Sequence, residues 1–92
     1  MEGYYKNGQL KQLTEDGIRT HYFENGKVKA TGPFDGKMQG EWSFYRKTGE
    51  LWQVGHLNND SKDGKWVRYH RNGEIEKDTQ FNDGKEIKSW IA

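Results

Sequence analysis

The sequence has no cysteine, only one proline, and a net charge of just +1. Without cysteine, disulfides and thiolate metal sites are excluded. A net charge so close to zero is not the electrostatic footprint of nucleic-acid binding, so no nucleic-acid partner is predicted. No stretch approaches the roughly 20 apolar residues of a membrane-spanning helix. The start, Met1-Glu2-Gly3-Tyr4, lacks the basic and apolar regions of a signal peptide. We therefore expect a cytoplasmic location; removal of an upstream signal peptide would leave the same sequence.

Apolar residues are also scarce. They make up 30% of the 92 residues, against 32% charged residues. A chain of this length buries a smaller fraction of its surface than a long one does. Aromatic residues reach 14% of the sequence, and each ring can bury roughly 150–250 Å². The core is therefore expected to consist mainly of rings.

The glycines recur in register with other residue types. Four of them, Gly8, Gly26, Gly49 and Gly73, each follow a tyrosine by four residues and precede a branched aliphatic residue by two. Asparagine directly precedes three of these four glycines. Agreement at several positions indicates tandem repeats. The approximate copies are 3–17 (short), 18–40, 41–64 and 65–88, with a truncated fifth copy from 89.

Each copy has the pattern of a β-hairpin. Asn-Gly between patterned segments is the strongest short-range hairpin signal, because glycine adopts positive φ without a steric penalty. No segment shows a sustained helical period. The fold class predicted is all-β: a single sheet in an elongated antiparallel meander, in which each hairpin contacts mainly its neighbours.

Turn length decides which residues pair. A three-residue loop, Arg71-Asn72-Gly73, places Tyr69 opposite Ile75, whereas a two-residue loop would place it opposite Glu76. The longer loop is favoured because it gives all four copies an aromatic–aliphatic pair. Alternation along the strands then predicts one core face. Its members are Tyr22, Val28, Phe34, Tyr45, Leu51, Tyr69, Ile75 and Phe81. Gly32 and Gly55 are expected to let a neighbouring ring lie over the backbone.

These residues resemble the MORN repeat, specifically the bacterial MORN-variant repeats of the YwqK-like antitoxin family. The resemblance is carried best by two runs. They are Gly40, Trp42, Tyr45, Gly49, Leu51, Gly55 and Leu57, and then Gly64, Trp66, Tyr69, Asn72-Gly73, Ile75 and Phe81. In the copy before them, Arg19 stands where tryptophan is expected. The resemblance implies protein–protein interaction, with an antitoxin or immunity role in some members.

A partner-contact surface is predicted on the central hairpin. Trp52 occupies a position that the other copies give to Lys11, Lys29 and Glu76. Alternation places four residues together on the face opposite the predicted core: Trp42, Phe44, Trp52 and Val54. Exposed apolar patches often mark interaction sites, and tryptophan is enriched at binding hot spots. The alternative is that this face is covered by the curvature of the sheet or by a self-dimer.

No catalytic, metal or cofactor site is predicted. The three histidines have no ligand spacing. The segment 59–64 resembles a calcium loop only superficially, because His70 stands where a bidentate glutamate is needed. The sequence therefore predicts a non-enzymatic protein–protein interaction module or scaffold, which binds a protein or another copy of itself. The alternatives are a phospholipid- or membrane-surface-binding module and a structural spacer. Alternating acidic and basic residues do not favour the membrane.

Overall fold

The computed structural model describes residues 3–87. Its eight strands form one antiparallel sheet in chain order. They are β1 (Gln12–Glu15), β2 (Ile18–Tyr22), β3 (Val28–Pro33), β4 (Gly40–Tyr45), β5 (Leu51–Asn58), β6 (Ser61–Tyr69), β7 (Ile75–Asn82) and β8 (Lys85–Ile87). Over residues 3–87 no helix is long and apolar enough to cross a membrane. The predicted all-β meander in a single sheet is confirmed. The truncated fifth copy predicted from 89 lies outside the described residues.

The sheet measures 52 × 32 × 19 Å. It is a single layer, with neither helices nor a second sheet against either face in the described range. Domains ordinarily bury the apolar face of a sheet against another layer. The apolar contacts of this chain must therefore form on the surface of the sheet itself.

The hairpin turns have the three-residue loops that the sequence predicted. In the central hairpin, the Gly49 amide donates to the Arg46 carbonyl at 2.8 Å, and the Arg46 amide donates to the Glu50 carbonyl at 2.8 Å. Gly49 has φ 108°, which a side chain would disfavour. The tyrosine–aliphatic pairs follow as predicted: Tyr4–Leu10, Tyr22–Val28, Tyr45–Leu51 and Tyr69–Ile75.

The turn asparagines also connect successive hairpins. Asn25 Oδ1 accepts from the Lys27 amide at 2.9 Å, and Asn25 Nδ2 donates to the Lys47 carbonyl at 2.9 Å. Asn7 Nδ2 donates in the same way to the Glu24 carbonyl. Each of these side-chain amides therefore forms hydrogen bonds both within its own turn and to the next turn.

A bulge follows three of the four tyrosine–aliphatic pairs and changes the faces. In the central hairpin the register shifts between Phe44 and Tyr45, so Phe44 lies opposite Gln53 and Trp42 lies opposite Gly55. Trp52 is the extra residue. A single inserted residue moves all following side chains to the other side of a strand. The predicted pairs of Phe44 with Trp52 and of Trp42 with Val54 are therefore wrong.

The core lies on the face that carries the tryptophans. Its buried members are Ala30, Trp42, Leu57 and Trp66, and Trp42 is 0% exposed. Packed against them are Phe34, Met38, Phe44 and Phe81. We call this set the tryptophan face. The four tyrosine–aliphatic pairs lie on the opposite side, which we call the tyrosine face, and Ile75 there is 60% exposed. Of the predicted core, only Phe34 and Phe81 pack against the buried cluster.

Glycine decides which face becomes the core. The ring of Trp42 lies on the backbone of Gly32, and the ring of Trp66 lies on Gly55, so closely that a Cβ at either glycine would overlap the indole. Trp42 Nε1 donates to the Pro33 carbonyl at 2.8 Å, and Trp66 Nε1 donates to the His56 carbonyl at 2.9 Å. Each indole is thus buried flat with its polar N–H satisfied. The expectation that rings cover these two glycines is confirmed.

The rings also contact each other across the strands. The centroids are 6.0 Å apart for His21–Trp42, 6.2 Å for Trp42–Phe44, 5.7 Å for Phe44–Trp66 and 6.3 Å for Trp66–Phe81. Aromatic pairs at such distances contribute about 0.5–1.5 kcal/mol each beyond their buried area. The row of rings connects strands β2, β4, β6 and β7.

Long cationic side chains cover the outer surface of these rings. Lys62 Nζ lies 4.7 Å from the Trp66 ring centre and 4.8 Å from that of Phe81. Arg19, which stands at the tryptophan position of the second copy, has its guanidinium carbon 3.8 Å above the Phe34 ring. Methylene stems and cation–π contacts supply some of the cover that a second layer would give.

We expect Gly55→Ala to lower the free energy of unfolding by about 1–3 kcal/mol or more, because the new methyl group overlaps the Trp66 ring. Thr79→Ala is the matched control, since Thr79 is the corresponding residue of the last hairpin and pairs with Trp66 from the other side. That change should cost less than about 1 kcal/mol. Urea unfolding of both variants gives the comparison; equal losses would contradict the packing described.

Candidate protein-binding surface

The four residues predicted as partner contacts do not form one patch. Trp42 is fully buried in the core. Val54 pairs with Ser43 and lies on the tyrosine face. Phe44 and Trp52 are half-buried and both border the same groove. The four residues are separated because the bulge at Trp52 breaks the alternation of side chains, and the prediction of a common face rested on that alternation.

The groove beside Trp52 is open and has a volume of about 390 Å³. It lies near the turns of the hairpins, where side chains of three successive copies meet. Its lining residues are Phe23, Lys29, Phe44, Tyr45, Arg46, Lys47, Trp52 and Arg71. Half of these lining residues are aromatic and the other half are basic.

All the charged residues that line the groove are basic. Two cation–π contacts also place basic side chains next to aromatic rings of the groove. Arg68 has its guanidinium carbon 5.3 Å from the centre of the Trp52 ring, and Lys29 Nζ lies 5.8 Å from that of Phe23. A concave site lined by one sign of charge concentrates groups of the opposite sign. This groove favours acidic groups.

Arg46 joins the groove to the last hairpin. Its Nη2 donates to the Tyr69 carbonyl at 3.0 Å. The Nε atoms of Arg46 and Arg68 are buried and have no hydrogen-bond partner within the described residues. A buried donor without an acceptor carries a desolvation cost.

The loop that superficially resembled a calcium site serves a structural purpose. Asn59 and Asp60 form a tight turn with φ values of 52° and 72°. Asp60 Oδ1 accepts from the Met38 amide at 2.7 Å, and the Asp60 amide donates to the Met38 carbonyl at 3.0 Å. Across residues 3–87, no group of three or more His, Asp or Glu side chains is arranged to hold a metal.

Sequence reasoning found Trp52 but missed the cations around it. Trp52 was identifiable because it departs from the repeat. Lys29, Arg46 and Arg71 come from three different hairpins and meet only in the folded sheet. The residue pattern within one copy does not indicate that these three side chains lie close together.

The charged surroundings also act on His21. Burial of its imidazole, together with the positive charges of Arg19 and Lys29, lowers the pKa of His21 below its ordinary value of 6.5. The ring lies 6.0 Å from that of Trp42. The neutral imidazole is thus the form that the tryptophan face accommodates.

Comparison with known proteins gives one family. A family model described as a MORN repeat variant matches residues 1–15, 15–35 and 62–83, together more than half of the chain. The central hairpin, β4 and β5, lies between the matched segments. No curated protein and no solved structure matches the chain.

The lowered pKa of His21 predicts a dependence of stability on pH. Between the lowered pKa and 6.5 the unfolded chain binds more protons at this residue than the folded chain does. The contribution of neutral His21 is therefore complete above about pH 6.5 and is lost as the pH falls through that window.

Urea unfolding at several pH values, with His21→Gln as the variant, tests this. The variant should lose less stability than the parent on acidification. Comparing each protein with itself at alkaline pH removes the effect of altered packing. Parallel stability profiles for the two proteins would contradict the assignment.

Proposed function

Because the chain belongs to the family of MORN repeat variants, we propose that it is a non-enzymatic binding module whose groove beside Trp52 takes an acidic segment of a protein partner. Membership of this family is consistent with a repeat module that binds a protein or a membrane surface. The single observation that carries the proposal is the composition of the groove: aromatic side chains together with charged residues that are all basic.

The chemistry of the groove supports a segment with two features. One is an apolar side chain, which would cover Trp52 and Phe44. The other is a set of neighbouring carboxylates, which would meet Lys29, Lys47 and Arg71. Arginine and tryptophan are the residues most often found at binding hot spots. A carboxylate also supplies the acceptors that the arginines of this groove can use.

A concave site favours the protein partner over a membrane. A lipid surface is broad, and its attraction for a protein comes from clusters of exposed basic residues. Here Arg19 and Lys62 lie over rings of the tryptophan face instead. Membrane binding stays the alternative, and the experiment below includes it.

An antitoxin or immunity role is a finer form of the same proposal. It rests on the likeness to YwqK-like antitoxins in the repeat residues, together with a surface suited to one partner. A cytoplasmic location belongs to this proposal too. The antitoxin role is tested by co-expressing this chain with a toxic product of a neighbouring gene. Rescue of growth supports the role, and unrelieved toxicity counts against it.

Fluorescence anisotropy with a labelled peptide, in which aspartate and glutamate flank one phenylalanine, tests the binding role. The amide counterpart of the peptide, with asparagine and glutamine, is the comparison. We expect only the acidic peptide to bind, and its affinity to fall with added salt because exposed charges are screened over ~8 Å at physiological ionic strength. Absence of peptide binding, together with co-sedimentation of the protein with phosphatidylserine vesicles, would favour the membrane.

Trp52→Glu and Arg71→Glu should each weaken peptide binding by at least about tenfold, a change of roughly 1.4 kcal/mol. Both variants should melt within a few degrees of the parent, because neither residue belongs to the buried cluster. Lys85→Glu is the matched control: it makes the same charge change as Arg71→Glu on the exposed strand β8. Equal weakening by all three variants would indicate net charge alone, and unfolding by Trp52→Glu would make that residue part of the core.

A further inference from the structure

The tyrosine face carries exposed hydrophobic side chains and has nothing over it within the described residues. The large hydrophobic residues that are exposed over residues 3–87 are Tyr4, Leu13, Ile18, Leu51, Ile75 and Ile87. The strand registers and the repeat place all of them on this face. Several large exposed apolar side chains on one face are typical of an interaction site.

Mostly short side chains cross the middle of this face. One row of paired residues crosses the sheet there: Leu13, Thr20, Thr31, Ser43, Val54, Val67 and Asp78. Val54 and Val67 of this row line an open central depression, into which side chains of another sheet can pack. The tryptophan face differs, because cations cover its rings. No lysine or arginine of the described part lies over one of the four paired tyrosines.

We infer that the tyrosine face is the interface between two copies of this chain, which pack face to face as a two-layer β-sandwich. Two sheets packed in this way lie about 10 Å apart, with the side chains of both inner faces interdigitating. The single layer of each copy then gains the second layer that sheet domains ordinarily have. The inference goes beyond the proposed function, since it leaves the groove on the tryptophan face open.

The repeat argues for a second copy in preference to another partner. A tyrosine–aliphatic pair recurs on every second strand, so the surface repeats at roughly 9–10 Å, twice the spacing of neighbouring strands. A second copy carries the same period and can interdigitate at each repeat. A surface without that period would match at one hairpin only.

The charge and the area of the tyrosine face both fit a second copy of the chain. The charged residues that line the central depression of this face are Glu41, Asp63 and Lys65, so both signs occur, and Lys65 Nζ already lies 3.7 Å from Asp78 Oδ2. No strongly charged partner is therefore favoured. A face of 52 by 32 Å has roughly twice the ~800 Å² that each partner buries in a standard interface.

Sedimentation equilibrium of the whole chain tests the inference. We expect a closed dimer with a Kd of about 10 μM or tighter. Ile75→Glu should weaken the dimer at least about tenfold, because it places a charge in the apolar interface. Its own fold should persist, since Ile75 is 60% exposed in the single chain. Leu51→Glu, at the matching position of the central hairpin, repeats the test should Ile75→Glu fail to fold.

Gln12→Glu is the matched control. It adds the same charge at an exposed residue that pairs with His21 on the tryptophan side, and it should leave the dimer intact. A parent that stays monomeric at about 100 μM, larger open assemblies, or equal weakening by Gln12→Glu would each overturn the inference. Trp52→Glu should weaken peptide binding without changing the dimer, so failure of the interface and failure of the proposed function are distinguishable.

Discussion

The stacking of two indole rings on two glycines holds this sheet together. Trp42 lies on Gly32 and Trp66 lies on Gly55, and each indole N–H is bonded to the carbonyl that follows its glycine. A single layer has no interior between layers in which a large ring could be buried. Removing the Cβ from the neighbouring strand creates that space on the sheet itself. The row of rings, the cations above it and the choice of core face depend on this arrangement.

The two faces consequently differ in what they leave exposed. On the tryptophan face, the apolar side chains pack against each other. At the edge of this face lies a groove with basic residues around Trp52. The tyrosine face keeps its tyrosine–aliphatic pairs accessible and has no comparable cover. The chain thereby separates a surface suited to an acidic segment from one suited to a second sheet.

The turns and pairs could be predicted because they depend on local chemistry. Asn-Gly and Thr-Gly fix three-residue loops, and these place Tyr45 opposite Leu51. The core face could not be obtained by alternation, since the bulge at Trp52 moves the residues after it to the other side. The decisive signal was nevertheless present in Gly32 and Gly55. Where a large ring and a glycine recur together, the glycine indicates the face more reliably than the number of apolar residues does. The cations of the groove depend on contacts between copies, which the repeat pattern does not contain.

The most direct test of the stacking is the proton NMR spectrum of the glycines. A proton directed at the face of an indole ring is shifted upfield by the ring current. We expect one α-proton of Gly32 and one of Gly55 to lie upfield of those of the remaining glycines, and the Nε1 protons of Trp42 and Trp66 to exchange slowly with solvent. Ordinary glycine shifts with rapid exchange of both indole protons would contradict the account.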